Sequence, residues 1–394
     1  MRRCDELASC SEDPDQLIRT YLSGAMKKAH GLVSGWMEQA GMRVRTDAVG
    51  NLIGTLPGAE DGAPRFLVGS HLDTVRNAGR YDGMLGVLLG IALAKRFKSL
   101  PFALEVIGFA DEEGVRFGAT YFGSRAVSGQ FDMSALDLRD KSGKTMREII
   151  RDFGLDPAGI PAAAYQPKDL LGFLEVHIEQ GPVLEQLDTP VGVVEAINGQ
   201  SKLRFSFAGQ AGHAGTTPMD LRRDALAGAA AFVLEAEAQA SATNGLVATV
   251  GSLSVTPGAS NVIPGEVALS LDVRHKDDLL RQQAVKQLLG RAQVIASERG
   301  LRHHYTVLLE EPTAWLSKAF VKLLSRASNL PVLTSGAGHD CAVMSAFTPS
   351  ALLFVRSPGG LSHHPDETVL ELDVAAALDV MQGFLKRLEE SYRV

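Results

Sequence analysis

Residues 69–83, GSHLDTVRNAGRYDG, concentrate side chains that bind metal ions. His71 and Asp73 alternate on what reads as extended backbone, and Asp82 follows in a second acidic turn. Imidazole and carboxylate are the ligand set of hydrolytic zinc or manganese sites. Further along come Glu112-Glu113 in DEEG, His177 in VHIEQGP and His363-His364 in GLSHHPDE. Each has a plainer alternative. A His and two Asp in a Gly-rich loop serve equally as turn formers and caps. A lone His at a strand end is commonly packed or on the surface, and paired Glu often fills a helix first turn. Those alternatives would have to hold at four separate loops. Two divalent cations sharing one carboxylate need about five protein ligands and a bridging water, and these loops can supply that set.

The elements that must position these residues follow from the pattern. Phe66-Leu67-Val68 reads as a short buried strand leading to His71. Residues 84–97, rich in Leu, Val, Ala and Ile, read as a buried helix after the Asp82-Gly83 turn. Residues 103–110 form an apolar strand broken only by Glu105, ending in Asp111-Glu112-Glu113-Gly114. Residues 172–179 form another strand with His177 near its end, and Gln180-Gly181-Pro182 starts a short helix. This alternation of strand, site and helix is the βαβ pattern of a mainly parallel sheet, whose rim holds ligands in open α/β folds. A helix over 25–40 and strands at 43–46 and 51–56 precede it.

The rhythm changes after Asn198-Gly199. Leu203, Phe205 and Phe207 alternate with polar residues, which marks a half-exposed strand. An Ala-rich helix over 218–238 follows, then strands over 246–255 and 262–273, a helix over 276–299 and a strand over 301–309. This β-α-β-β-α-β order predicts a ferredoxin-like α+β unit with a four-stranded antiparallel sheet over 199–311. Signals of the α/β kind resume at Pro312 with SGAGHDCAVM (335–344), a strand over 351–356, the loop SPGGLSHHPDE (357–367) and a helix over 372–392. The fold class is α/β: a mainly parallel-sheet domain over 1–198 and 312–394, interrupted by the ferredoxin-like insert.

Composition narrows the function classes. A chain of 394 residues exceeds one ordinary core, so two domains are expected. Net charge is −7, from 39 basic and 46 acidic residues, and no basic run is dense enough for a phosphate-backbone footprint. A nucleic-acid partner is therefore not expected. No apolar stretch reaches the ~18 residues of a membrane span, and MRRCDELASC lacks a secretory apolar core. Cys4, Cys10 and Cys341 form no CxxC pair and no disulfide framework, which points to the cytoplasm.

Nine motifs run in order along nearly the whole chain: GSHLDT, YDG, DEEG, VHIEQGP, GHAGTTPM, SNVIPG, LDVRH, SGAGHD and GLSHHPDE. In them the chain resembles the dinuclear metallopeptidase clan of aminoacylases and carboxypeptidases. Within that clan it is similar to the branch of allantoate amidohydrolases and N-carbamoyl-amino-acid hydrolases. The resemblance implies that His71 and His177 hold one metal, that Glu113 and His363 hold the other, and that Asp82 bridges them. Asp73 would orient His71 from behind, and Glu112 would be the general base. His213, in GHAGTTPM, would stabilise the oxyanion, often from a partner subunit. Gln200, Asn261 and Arg274 would grip a substrate carboxylate, Arg274 through its bidentate fork. No role is implied for His339, and Cys341 reads as a small buried residue.

The same resemblance implies a metal-dependent amidohydrolase that cleaves a ureido or carbamoyl C–N bond. The clan's peptidases carry a carboxylate where this chain has His177, so VHIEQGP favours a carbamoyl substrate over a peptide. Allantoate is the favoured substrate, followed by N-carbamoyl-L-amino acids and N-carbamoyl-β-alanine. A dipeptidase, an aminoacylase or a non-catalytic binding protein on the same fold are the remaining readings. Two divalent ions per subunit are implied, zinc or manganese, with cobalt and nickel also compatible. The insert would serve as a lid and dimerisation domain in a homodimer.

Overall fold

Four apolar runs form the centre of the larger unit. Strands Ala103–Phe109, Arg65–His71, Leu170–Ile178 and Ser350–Val355 lie side by side in that order and run parallel. Nearly every residue in them is buried, as a parallel sheet covered on both faces requires. Antiparallel strands flank this quartet: Leu52–Leu56 and Arg43–Thr46 on one side, Val191–Ile197 on the other. The computed structural model describes residues 1–325 and 329–392, so parts of the expected 312–394 segment lie outside the described residues. Packing divides the chain into two compact units, Met1–Glu195 with Trp315–Val394, and Ala196–Ala314.

One face of the quartet is covered by helices Met84–Ala94 and Glu371–Tyr392, which share a core with Phe66, Val68, Val106, Leu174 and Val176. Phe66, Phe320 and Phe384 meet there with centroids 5.3–6.1 Å apart. Burying each such ring is worth ~1.5–3 kcal/mol. Met84–Ala94 is apolar on nearly all sides because it is buried on nearly all sides. A second cluster gathers Tyr21, Ala110, Phe122 and Ile149 around helices Phe122–Val127 and Met146–Phe153. The latter starts on a reciprocal Thr145–Glu148 capping box.

Parallel strands end on one rim. His71 closes its strand, His177 is the penultimate residue of Leu170–Ile178, Asp111 to Glu113 follow Phe109, and the 357–367 loop follows Val355. The sheet thus delivers four candidate loops to its carboxyl edge, where ligands bind in folds of this kind.

The smaller unit is a βαββαβ array. Its antiparallel sheet runs Leu253–Thr256, Glu266–His275, Gly199–Ala208, Arg302–Glu311. Leu203, Phe205, Phe207 and alternate residues of Glu266–His275 point to a core shared with helices Ala225–Ala242 and Asp278–Glu298. Three expectations need correcting. The strand expected over 262–273 is two: Val262–Ile263, which pairs with Gly212–His213, and Glu266–His275 in the main sheet of this unit. The strand expected over 246–255 is two short strands, Val247–Thr249 and Leu253–Thr256, both paired with Glu266–His275. The helix expected from Pro218 begins at Ala225, because Asp224 caps it by accepting from the N–H groups of Leu226 and Ala227. Among the described residues, no helix is long and apolar enough to cross a membrane.

Candidate metal centre

His71, Asp82 and His177 converge, as do Asp82, Glu113 and His363, with ligand atoms in each group within 4.8 Å of one another. Asp82 belongs to both groups and faces them with different oxygens. Its Oδ1 lies 3.5 Å from His71 Nε2 and 3.0 Å from His177 Nε2. Its Oδ2 lies 3.3 Å from His363 Nε2, and that imidazole nitrogen is 3.7 Å from Glu113 Oε1. A third group joins His71 to Glu112 and Glu113. His364 stays outside, exposed and turned toward Asp366. His363, half exposed, reaches Asp82 from a backbone with φ +54, a left-handed conformation that His adopts more readily than most non-glycine residues.

The imidazole tautomers indicate what such a site wants. His71 Nδ1 is 3.0 Å from the Asp73 carbonyl oxygen, and His177 Nδ1 is 2.9 Å from that of Ile178. Each Nδ1–H can therefore donate to a backbone carbonyl, which leaves the Nε2 lone pair pointing inward. The two Nε2 atoms face each other at 3.4 Å across the Asp82 carboxylate. Lone pairs that converge with a carboxylate oxygen need a cation between them. The donor set therefore fits a divalent metal, with imidazole and carboxylate at both lobes.

The surrounding charge points the same way. Burial opposes charge on His71, yet the Asp73 and Asp82 carboxylates overcome it and hold the imidazole well above its usual range. His177 is raised for the same reason by Asp82. Burial pushes Glu112 well above the usual carboxylate range and Glu113 up to about 7, with neighbouring carboxylates adding to both. A pocket that collects protons on acids and imidazoles alike has surplus negative potential, which divalent charge would balance.

Supporting contacts explain the placement. Asp73 accepts from the backbone N–H of Glu112 at 3.0 Å and of Glu113 at 3.1 Å, so it ties the DEEG loop to the His71 loop. Its carboxylate is 3.6 Å from His71 Nδ1, farther than its own carbonyl. Glu367, a residue to which the sequence reading gave no role, accepts from the N–H groups of Tyr81 and Asp82 at 2.9 and 3.1 Å. That contact joins the YDG turn to the SHHPDE loop. Its signal in the sequence was an acid placed just beyond a His-rich turn. Gln180 donates to Asp82 Oδ2 at 3.2 Å and to Ser362 at 2.9 Å. Ser335 lies 2.9 Å from Nε2 of the buried His339, whose ring meets that of His177 at 4.5 Å.

The other expected site residues belong to the smaller unit, where they form two pairs. Strand Gly212–His213 pairs with Val262–Ile263, and Ala214 N–H donates to the Asn261 carbonyl at 3.0 Å, so His213 and Asn261 are neighbours. Both are exposed. Gln200 and Arg274 sit opposite each other on adjacent strands. Arg274 makes a fork to Asp272 at 2.9 and 2.8 Å, and Gln200 donates to Glu311 at 2.5 Å. The Arg274–Asp272 pairing was not foreseen, although residues two apart on a strand share a face.

Residues 67–387 match the family described as Peptidase family M20/M25/M40. The chain is 38% identical to allantoate deiminase of Arabidopsis thaliana, over 98% of this chain and 81% of that protein. It is 39% identical to N-carbamoyl-L-amino acid amidohydrolase of Geobacillus stearothermophilus, over 96% and 95%. The crystal structure of an amidase of the hydantoinase/carbamoylase family from Burkholderia multivorans superposes with a TM-score of 0.91 at 30% identity, covering 98% of this chain and 95% of that one. Relatives in this group are named for hydrolysis of non-peptide C–N bonds, and family members depend on a dinuclear metal centre. On the match along most of its length, the chain belongs to peptidase family M20/M25/M40 and is a hydrolase of the dinuclear metallopeptidase clan.

Proposed function

We propose that this chain is a metal-dependent amidohydrolase cleaving a ureido C–N bond, with allantoate as its substrate and ureidoglycine, ammonia and carbon dioxide as products. The observation that carries the reading is the convergence of His71, His177, Glu113 and His363 on the two oxygens of Asp82, with Glu112 beside them. His71 and His177 would hold one divalent ion, Glu113 and His363 the other, and Asp82 would bridge them. When bound, the ions supply Lewis acidity that lowers the pKa of water and polarises a carbonyl oxygen. Zinc or manganese suits this donor set, and cobalt or nickel would also fit.

The protein's own residues do the rest. Glu112 takes the proton of the attacking water, and its buried carboxylate is a stronger base than a solvated one. It then returns the proton to the leaving nitrogen. Asp73 holds the DEEG loop, and so Glu112, in place through two backbone N–H groups. His213 donates to the developing oxyanion. Arg274, with Gln200 and Asn261, receives the substrate carboxylate, and the fork that now engages Asp272 is the geometry a carboxylate requires. The unit holding these four residues acts as lid and dimerisation domain of a homodimer. The three free, buried cysteines fit a reducing cytoplasm.

A second reading, hydrolysis of N-carbamoyl-L-amino acids, is favoured by the relative from Geobacillus stearothermophilus, and N-carbamoyl-β-alanine is a further carbamoyl candidate. Ammonia release separates the two. After metal reconstitution, allantoate is expected to give the highest kcat/KM, and prolonged chelation is expected to abolish turnover. Faster release from N-carbamoyl amino acids would transfer the assignment to them. Full activity in a preparation shown metal-free by elemental analysis would sink both.

A further inference from the structure

Glu175 is a carboxylate with no exposure to solvent, in the middle of the buried strand Leu170–Ile178. An acid there is costly unless its oxygens are satisfied. Both are. Oε1 accepts from Ser70 Oγ at 2.9 Å, and Oε2 accepts from the Cys341 backbone N–H at 2.7 Å. The partners' places in the chain matter more than the bonds themselves. Ser70 directly precedes His71. Glu175 is two residues before His177 on one strand, so the two side chains share a face. Cys341 is two residues after His339, whose ring lies edge-on to the His177 ring with centroids 4.5 Å apart. One carboxylate thus joins all three segments that carry or flank the His71–His177 pair. Ser70 and Glu175 are also on neighbouring parallel strands, so the bond between their side chains ties the two strand ends together beside the backbone ladder.

We propose that Glu175 is a positioning residue for the His71–His177 lobe of the metal centre, setting the spacing of the two inward nitrogens through its bonds to Ser70 and Cys341. This rests on the proposed metal reading of that lobe. Glu175→Met, of similar length, removes both acceptors, whereas Glu175→Gln can keep both bonds, its oxygen accepting from the Cys341 N–H and its NH2 donating to Ser70 Oγ, because a hydroxyl accepts as well as donates. The bonds lost in Glu175→Met leave the imidazole pair less fixed, while the contacts of His363 to Glu113 and to Asp82 Oδ2 are untouched.

The test measures metal binding, with activity as a secondary readout. Apo protein is titrated with cobalt(II), whose visible absorption reports its coordination, and the affinities are obtained by competition with a chelator. For Glu175→Met, one of the two cobalt equivalents is expected to weaken ~10-fold or more, the lower end of the range typical when a direct partner of a metal-bound histidine is lost. The other equivalent should stay within a factor of two. Ser70→Ala, which keeps the carboxylate and its Cys341 bond, should give a smaller loss at the same equivalent. It also keeps the question answerable if Glu175→Met does not fold. Unchanged affinities in folded Glu175→Met, equal loss at both equivalents, or unchanged affinities in Ser70→Ala would overturn the proposal. Wild-type protein that binds no cobalt would instead overturn the metal reading on which it stands.

Discussion

The His71 ring lies against Gly83, and a Cβ on that glycine would overlap the imidazole. Gly83 also has φ +68, where an L side chain is strained. Gly83→Ala therefore combines two penalties in one methyl group. The backbone strain alone is worth ~1–3 kcal/mol, and the ring must leave its place opposite His177. The expected result is a lower urea midpoint and less than two metal equivalents by elemental analysis. Wild-type values of both would show that His71 has room the geometry denies it. Glu112→Gln separates chemistry from assembly at the same scale. The amide keeps the shape but takes no proton, so metal content should survive while kcat falls ~10²–10⁴-fold, as expected for loss of a general base. A near-normal kcat would remove Glu112 from the base role. The candidate residues of the metal cluster were legible as types at strand ends, because ligands must be imidazole or carboxylate and the rim is where strands stop. Their supports were not. Glu367 and Glu175 act through backbone N–H groups and a serine hydroxyl, partners that pattern along one chain segment does not reveal.

At the scale of elements, burial decided what could be foreseen. Strands Arg65–His71 and Ala103–Phe109 are covered on both faces, so their apolar runs stand out. Helix Arg2–Ala8 was not foreseen, since seven residues give too little periodicity. It is secured by tertiary contacts: Leu7 and Cys4 are buried, and the Arg19 guanidinium donates to the carbonyls of Leu7 and Cys10 at 2.9 Å each. Helix Gly24–Glu38 carries a further test. His30 is buried in it, edge-on to Phe153 at 5.4 Å, and its Nε2 has no hydrogen-bond partner among the described residues. Burial, aided by the Arg19 charge, lowers its pKa from 6.5 to about 4. Above ~6.5 the imidazole is neutral in folded and unfolded chains alike, and its contribution to stability is fully present. Between ~6.5 and ~4 the unfolded chain binds a proton that the folded chain refuses, so stability falls as pH falls. At pH 5 that is a loss of about 2 kcal/mol, from 1.5 pH units at 1.36 kcal/mol each. In His30→Leu the loss should vanish. Urea midpoints at pH 7 and pH 5, compared between the two proteins, measure it. Equal pH dependence would mean that His30 is protonated inside the fold.

At the scale of the molecule, the residues with proposed roles divide between the two compact units. The metal cluster and Glu112 belong to the larger unit, and His213, Asn261, Gln200 and Arg274 to the smaller. His213 is exposed, on a two-residue strand, and among the described residues its ring is held only by the nearby Gly215 N–H, which donates to Nδ1. A histidine held so lightly in its own unit is available to another site. The smaller unit also leaves a sheet edge open: among the described residues, Arg302–Glu311 pairs with Gly199–Ala208 on one side only, and Tyr305, Val307 and Leu308 on it are 40–53% exposed. An unpaired, partly apolar edge strand of ten residues favours pairing with a second copy. If the active unit is a homodimer with each site completed across the interface, two dead subunits can make one live site. His213→Ala and Glu112→Gln proteins are each expected to be inactive alone. After mixing and exchange, one site of a mixed dimer keeps Glu112 from one chain and receives His213 from the other. With equal amounts and random exchange, half the dimers are mixed and each has one working site, so activity should return to about a quarter of wild type, following the symmetry of a two-fold dimer. Exchange is followed independently by mass spectrometry of differently tagged subunits. Demonstrated exchange with no recovery would place His213 in the service of its own chain, because then no mixed dimer could unite the two intact residues at one site.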